Sequence, residues 1–133
     1  MAALTGASIA AEVWCEAIPE GDAYSVSCVL VPGFSGADLC GVDYGNEHVD
    51  FRVGFGADGR LTVNGADAGC FNPGATYAVT VQCTKMTCGW FANTNVVNVE
   101  TGEPVYQQIH YRMPGAASEV RAAADDVQFL GVS

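Results

Sequence analysis

The sequence predicts an all-β antiparallel fold, a sandwich or barrel of short strands, and three observations carry that expectation. Helical periodicity is almost absent along all 133 residues. Short stretches instead alternate apolar with polar residues, and Gly, Asn, Asp and Pro fill the gaps between them, as half-buried strands and their turns do. Residues 77–94 show both features together: Tyr77, Val79, Val81 and Cys83 alternate with Ala78, Thr80 and Gln82, and a turn then reverses the chain. Closing that hairpin between Lys85 and Met86 sets Cys83 against Cys88, Val81 against Trp90 and Val79 against Ala92, all on one face. Trp90 is therefore expected in the core.

The other elements follow in order. Residues 8–17 read as the first strand, with Ile9, Ala11, Val13 and Cys15 on the inner face and Glu12, Trp14 and Glu16 on the outer. Residues 24–31 read as its hairpin partner, returning through Glu20, Gly21 and Asp22 and stopped by Pro32 and Gly33. A loop rich in Gly and Asp spans 33–46, with room for a short strand near 39–42. Next comes a hairpin in which Val49, Phe51, Val53 and Phe55 alternate with Asp50, Arg52 and Gly54, before Leu61 and Val63. A three-residue loop ending in Gly59 pairs Phe55 with Leu61 and Val53 with Val63, which keeps every apolar side chain on one face. Asn64 and Gly65 turn the chain again. Residues 96–100 continue the return strand, 105–113 form another, 122–124 begin a strand or a helical turn, and 126–132 close the chain with Val127 and Phe129 inward. No repeat or linker divides the chain, so residues 1–133 are expected to form a single domain.

Composition narrows the function classes. Half of the residues are hydrophobic, which excludes disorder, and no apolar run approaches the ~20 residues of a membrane-spanning helix. Fifteen acidic residues against five Lys and Arg give a net charge of −10. Such a surface repels phosphate backbones, so nucleic acid is not an expected partner. Cations, neutral polar ligands such as carbohydrate, or a protein surface fit better. The six cysteines are an even set, which points to three disulfides and an oxidising compartment, ahead of free thiols and of zinc. Strand registers suggest Cys83–Cys88 and Cys15–Cys28, leaving Cys40 with Cys70. The first eight residues have neither a basic region nor a sustained apolar core, so they do not read as a signal peptide. An extracellular or virion-surface location is expected, a virion component released by lysis being one route to it.

The order of signals carries a resemblance. FRVGFGADGRLTVN at 51–64, GATYAVTV at 74–81, a return strand bearing Trp90, and ADDVQFL at 124–130 resemble the concanavalin A-like jelly roll. More narrowly they resemble its laminin-G-like modules, over roughly residues 49–132. The resemblance implies two antiparallel sheets, one curved, with a concave face where sugars often bind and a calcium ion at one rim. The expected architecture is thus a jelly-roll sandwich braced by disulfides.

Candidate sites follow from residue chemistry. The Glu-x-Asp-x-x-Glu strand of glycosidases with this fold is missing. Glu12 and Glu16 stand about 13 Å apart along a strand, wider than the ~5–9 Å of glycoside hydrolysis. No nucleophile elbow is present either, so the chain is not expected to be an enzyme. Calcium, the one cofactor expected, would draw oxygen ligands from Asp43, Asn46, Glu47 and Asp50 in the acidic loop and from Asp126 at the last strand. A sugar platform would use Trp14 beside Glu12 and Glu16, Phe91 on the outer face of its hairpin, or Tyr44 in the acidic loop. The expected role is recognition of a glycan or adhesion outside the cell. The alternative is a structural or decoration protein of a virion or other assembly, working as a homo-oligomer or in a larger array.

Overall fold

The structure, a computed structural model, describes residues 12–43, 48–107 and 110–133. The described strands, in chain order, are β1 (Glu12–Ala17), β2 (Ala23–Val31), β3 (Ala37–Asp43), β4 (His48–Phe55), β5 (Arg60–Val63) and β6 (Ala66–Cys70). They continue with β7 (Tyr77–Met86), β8 (Gly89–Asn98), β9 (Pro104–Tyr106), β10 (Tyr111–Arg112), β11 (Glu119–Ala124) and β12 (Asp126–Val132). They form two antiparallel sheets. Sheet A runs β1-β11-β3-β4-β5-β6, and sheet B runs β10-β8-β7-β2-β12 with β9 also on β8.

Alternation builds the core. Leu39, Phe51, Val53, Phe55, Leu61, Val63, Val120 and Ala122 point inward from sheet A and are buried. Val26, Cys28, Leu30, Tyr77, Val79, Val81, Ala92 and Val96 meet them from sheet B. At one end Phe55, Tyr77 and Phe71 pack together, with ring centroids 5.1 to 6.3 Å apart, and join the two sheets. The Tyr77 hydroxyl accepts the Asn72 N–H at 2.8 Å, so the ring is anchored at its polar tip as well.

The β4–β5 hairpin has the register expected of it, Phe55 opposite Leu61 and Val53 opposite Val63. Gly59, at φ +85°, donates to the Gly56 carbonyl at 2.9 Å, and Gly56 donates to the Arg60 carbonyl at 2.8 Å. Asn64 and Gly65, both at positive φ, then make the tight turn into β6.

Elsewhere the pairing departs from expectation. Cys83 lies opposite Ala92, not Cys88, because β7 and β8 close through the two-residue turn at 87–88. That shift keeps every residue on its expected face. It also lengthens the ladder and sets Val79 on Val96, burying both. Trp90 faces the same side as Ala92 but is only half-buried, its ring 5.7 Å from Tyr24 near the end of the sandwich.

β1 does not pair with β2. It lies at the edge of sheet A against β11, with Trp14 opposite Ala122, while β2 sits inside sheet B between β7 and β12. Residues 18–22 are a crossover between sheets, tied by Ile18 N–H to the Ser118 carbonyl and by Lys85 N–H to the Asp22 carbonyl. The face of β1 is reversed as well. Trp14 shares the side of buried Ala122 and packs across to Phe129 of sheet B, at 6.1 Å and 69°. The short strand expected near 39–42 in the loop at 33–46 is the longer β3, an inner strand of sheet A. The expected strand at 105–113 is divided into β9 and β10, and residues 122–124 belong to strand β11.

The disulfide bracing is not supported. Cys28, Cys40, Cys70, Cys83 and Cys88 are free thiols, and the Cys15 side chain lies outside the described residues. β3 and β6 are separated by β4 and β5, so Cys40 and Cys70 are three strand spacings apart, about 14 Å, against the ~6 Å a disulfide spans. Cys15 and Cys28 fall in different sheets, and Cys88 occupies the turn. Cys28 and Cys83 act as small apolar core residues, and burial pushes their thiols up to about 12 and about 11.

Two outcomes follow. Iodoacetamide applied to the folded protein should label Cys70 and Cys88 and spare Cys28 and Cys83 until the chain is unfolded; an intact mass already short of hydrogens would contradict the free thiols. Gly41→Ala should lower stability by about 1–3 kcal/mol in a denaturant melt, because its Cβ would stand 2.2 Å from the Phe51 ring on the neighbouring strand.

Candidate functional site

Pairing in sheet A stacks its outward side chains into cross-strand rows. One row runs Arg121, Cys40, Arg52 across β11, β3 and β4. The next runs Ala123, Asp38, Gly54, Thr62, Asp67 from β11 to β6. Of the five basic residues in the chain, Arg52, Arg60 and Arg121 stand on this face.

Each arginine meets an acid. Arg52 Nε lies 3.1 Å from Asp38 Oδ1, Arg121 Nη2 donates to Glu119 Oε1 at 2.7 Å, and Arg60 Nη2 donates to Asp67 Oδ2. Glu119 is 1% exposed, so its carboxylate is fixed, whereas the three guanidinium groups are about half exposed. Asn64 holds the base of the Arg52 strand, accepting the Arg52 N–H on Oδ1 at 2.9 Å and donating its own N–H to the Arg52 carbonyl at 2.8 Å.

Between Arg52 and Arg60 the surface dips. Gly54 forms the floor, and Asp38, Arg52, Arg60 and Thr62 surround a shallow depression of about 400 Å³. A Cβ on Gly54 would stand 2.8 Å from Thr62 Oγ1, so the missing side chain is what keeps the depression open. Asp58, on the rim, accepts the Arg60 N–H at 3.1 Å and caps the turn.

Electrostatics are uneven across the face. Burial holds the Asp38 carboxyl above its usual range, and the neighbouring Arg52 charge only partly offsets this. Its Oδ1 is buried and accepts no aligned hydrogen bond, so the Arg52 contact is Coulombic. Burial and the Asp38 charge raise the Cys40 thiol, against Arg52 and Arg121. Asp67 is lowered, first by the Gly69 N–H and then by Arg60. Guanidinium forks beside carboxylates supply donors and acceptors together, a set suited to grouped hydroxyls.

The residues expected from sequence are not gathered in one place. Trp14 is 42% exposed at the β1 edge with Glu16 exposed nearby, and the Glu12 side chain lies outside the described residues. Phe91 is on the outer face of sheet B, opposite Thr84 and 5.5 Å from the His110 ring. Tyr44, Asn46 and Glu47 lie outside the described residues. Asp43 ends β3, and Asp50 is fully buried beside a bulge between β3 and β4. Asp126 is at the opposite end of the sandwich, because β11 runs antiparallel to β3 and only then leads into β12. Asp43 and Asp126 are thus a strand length apart. The described residues gather no group of three or more His, Cys, Asp or Glu able to hold a metal ion. Sequence reasoning missed the Arg52 face, although Arg52 and Gly54 already stood at outward positions of a well-defined hairpin.

Comparison with known proteins places the fold. No family model matches the chain, and no curated protein matches it. Solved structures do match. A tetrameric galectin from the ball sponge Cinachyrella sp. is 15% identical, with 92% of this chain and 98% of that one covered, at a TM-score of 0.52. Sheep galectin-11, solved in complex with glycerol, is 14% identical, with 90% and 95% covered, at 0.54. The chain is therefore similar to galectins in fold, a concanavalin A-like jelly-roll sandwich.

The Asp38 environment has a pH signature. Its carboxyl binds a proton more readily in the folded chain than in the unfolded one, so its contribution to stability is lost as pH rises through the folded value. Asp38→Asn should therefore gain stability relative to the parent between pH 3 and pH 7 in urea melts. A pH-independent difference would contradict the burial assigned to this carboxyl.

Proposed function

We propose that the protein is a non-catalytic, lectin-like module that binds carbohydrate on the outward face of sheet A. The observation that carries this reading is the Arg52–Asp38 pair at the edge of the depression floored by Gly54. Arg52 presents fixed-geometry donors, Asp38 an acceptor, and Thr62 a group that does both, which matches neighbouring hydroxyls on one pyranose ring. The galectin-like fold supports a lectin role, because the matched structures share this two-sheet architecture over nearly the whole chain. Catalysis has little to work with here, as Asp58 is committed to its turn and Asp38 to Arg52.

Another feature favours a second reading, a structural or decoration role in a virion or extracellular assembly. Phe34 is 83% exposed at the tip of the turn closed by Gly33 and Gly36, and Leu130 is largely exposed on β12, which among the described strands pairs with β2 alone. Apolar groups on a tight turn and on an edge strand are what an assembly partner would cover.

A glycan array run with and without calcium tests the first reading. Binding to at least one glycan is expected, reduced about ten-fold or more by Arg52→Ala, since a charge-assisted hydrogen bond contributes ~1.5–3 kcal/mol. Gly54→Val, which fills the depression, should abolish it. A blank array together with a large assembly by light scattering would favour the second reading.

A further inference from the structure

The outer face of sheet B is built differently from that of sheet A. No outward position of β2, β7 or β8 carries a charged side chain, in a chain of net charge −10. Two cross-strand rows occupy its middle: Ser25, Gln82, Asn93 and Ser27, Thr80, Asn95. Thr84 and Phe91 form the next row towards one end, with Phe91 tilted 40° against His110. Val29, Ala78 and Val97 form an apolar row towards the other. From the Phe91 row to the Val97 row is six residues, about 20 Å. Arg112, paired with Phe91, directs its guanidinium to the Cys88 carbonyl at 2.7 Å.

The hydrogen-bonding capacity of this face is unspent. The side chains of Ser25, Ser27, Thr80, Gln82, Thr84, Asn93 and Asn95 make no hydrogen bond to any described residue, in contrast to the paired arginines of sheet A. Amides and hydroxyls both donate and accept, and short ones lose little freedom when they engage a ligand. Ser25, Gln82, Thr84 and Asn93 already line a depression of about 390 Å³.

We propose that this face is a second carbohydrate site, which takes an uncharged polysaccharide chain laid along β7 and β8. The amide and hydroxyl rows bond its hydroxyl groups, and Phe91 with His110 offers a ring for the C–H face of a pyranose. The central strands offer no charged partner, and Arg112 at the Phe91 end is directed to the Cys88 carbonyl, so an uronate or sulfated chain would lose hydrated charge along most of its length without gaining a partner. Along the strands the rows repeat every two residues, about 6.8 Å, so a chain laid in that direction meets one row after another with its successive hydroxyl groups. This site is separate from the Arg52 face, and the two stand or fall independently.

The test is retention of the full chain on an uncharged panel of β-glucan, mannan, galactan and chitin, in low salt and in 1 M NaCl. Retention by at least one polysaccharide is expected, insensitive to salt, kept by Arg52→Ala and weakened ten-fold or more by the near-isosteric pair Gln82→Glu and Asn93→Asp. If that pair fails to fold, NMR on the parent decides: the side-chain amide signals of Gln82, Asn93 and Asn95 should move with a tetrasaccharide of the retained polymer. No retention across the panel, retention untouched by the pair, or amide signals that stay still would overturn the proposal. Retention lost with Arg52→Ala alone would instead put all sugar binding on sheet A.

Discussion

The packing of Phe55 against Phe71 and Tyr77 is the contact on which the rest of the architecture depends. It locks the β4–β5 hairpin of sheet A onto the β7–β8 hairpin of sheet B, and so sets the spacing of the two inner faces. Because strand side chains alternate, fixing Phe51, Val53 and Phe55 inward forces Arg52 and Gly54 outward into the same rigid frame. The same argument runs through sheet B, where burying Val79, Val81, Ala92 and Val96 exposes Thr80, Gln82, Asn93 and Asn95 as rows. Each surface is the complement of the core beneath it.

The two outer faces divide the polar chemistry of the chain between them. Sheet A carries three of the five basic residues, each held by an acid, and so presents a patterned but nearly balanced set of charges. Sheet B presents hydroxyls and amides with no charge among the outward positions of its central strands. The strong negative net charge therefore belongs largely to turns, ends and edges, leaving the broad faces free of a single-sign field.

What could be read from sequence was whatever local geometry decides. The β4–β5 register was legible because Gly59 dictates a three-residue loop and alternation on both sides agrees with it. The β7–β8 faces were legible but their register was not, since a shift of two residues on each strand preserves every face and only the packing of Val79 on Val96 distinguishes the options. β3 was legible only in part, near residues 39–42, because Gly41 and Asp38 argue against a strand, and its full extent and place come from β4 and β11 on either side. Cysteine counting misled for a related reason: Cys28 and Cys83 sit at inward strand positions where a thiol packs as a small apolar group, and an even total does not distinguish that use from cross-linking. The Arg52 face stayed obscure because Asp38 is brought beside Arg52 only when β3 pairs with β4.

The pairing of β3 with β11, and of β2 with β12, joins residues near 40 to residues near 121 and residues near 30 to residues near 127. Neither sheet can complete its ladder until residues 119–132 have been made. Until then β2 and β3 expose edges whose partners come some 80 to 100 residues later in the chain. Folding is accordingly late and dominated by distant contacts, a slow regime in which premature strand pairing is the main hazard. The hairpins β4–β5 and β7–β8, which close locally, are the segments able to form early, ahead of the pairing of β11 and β12.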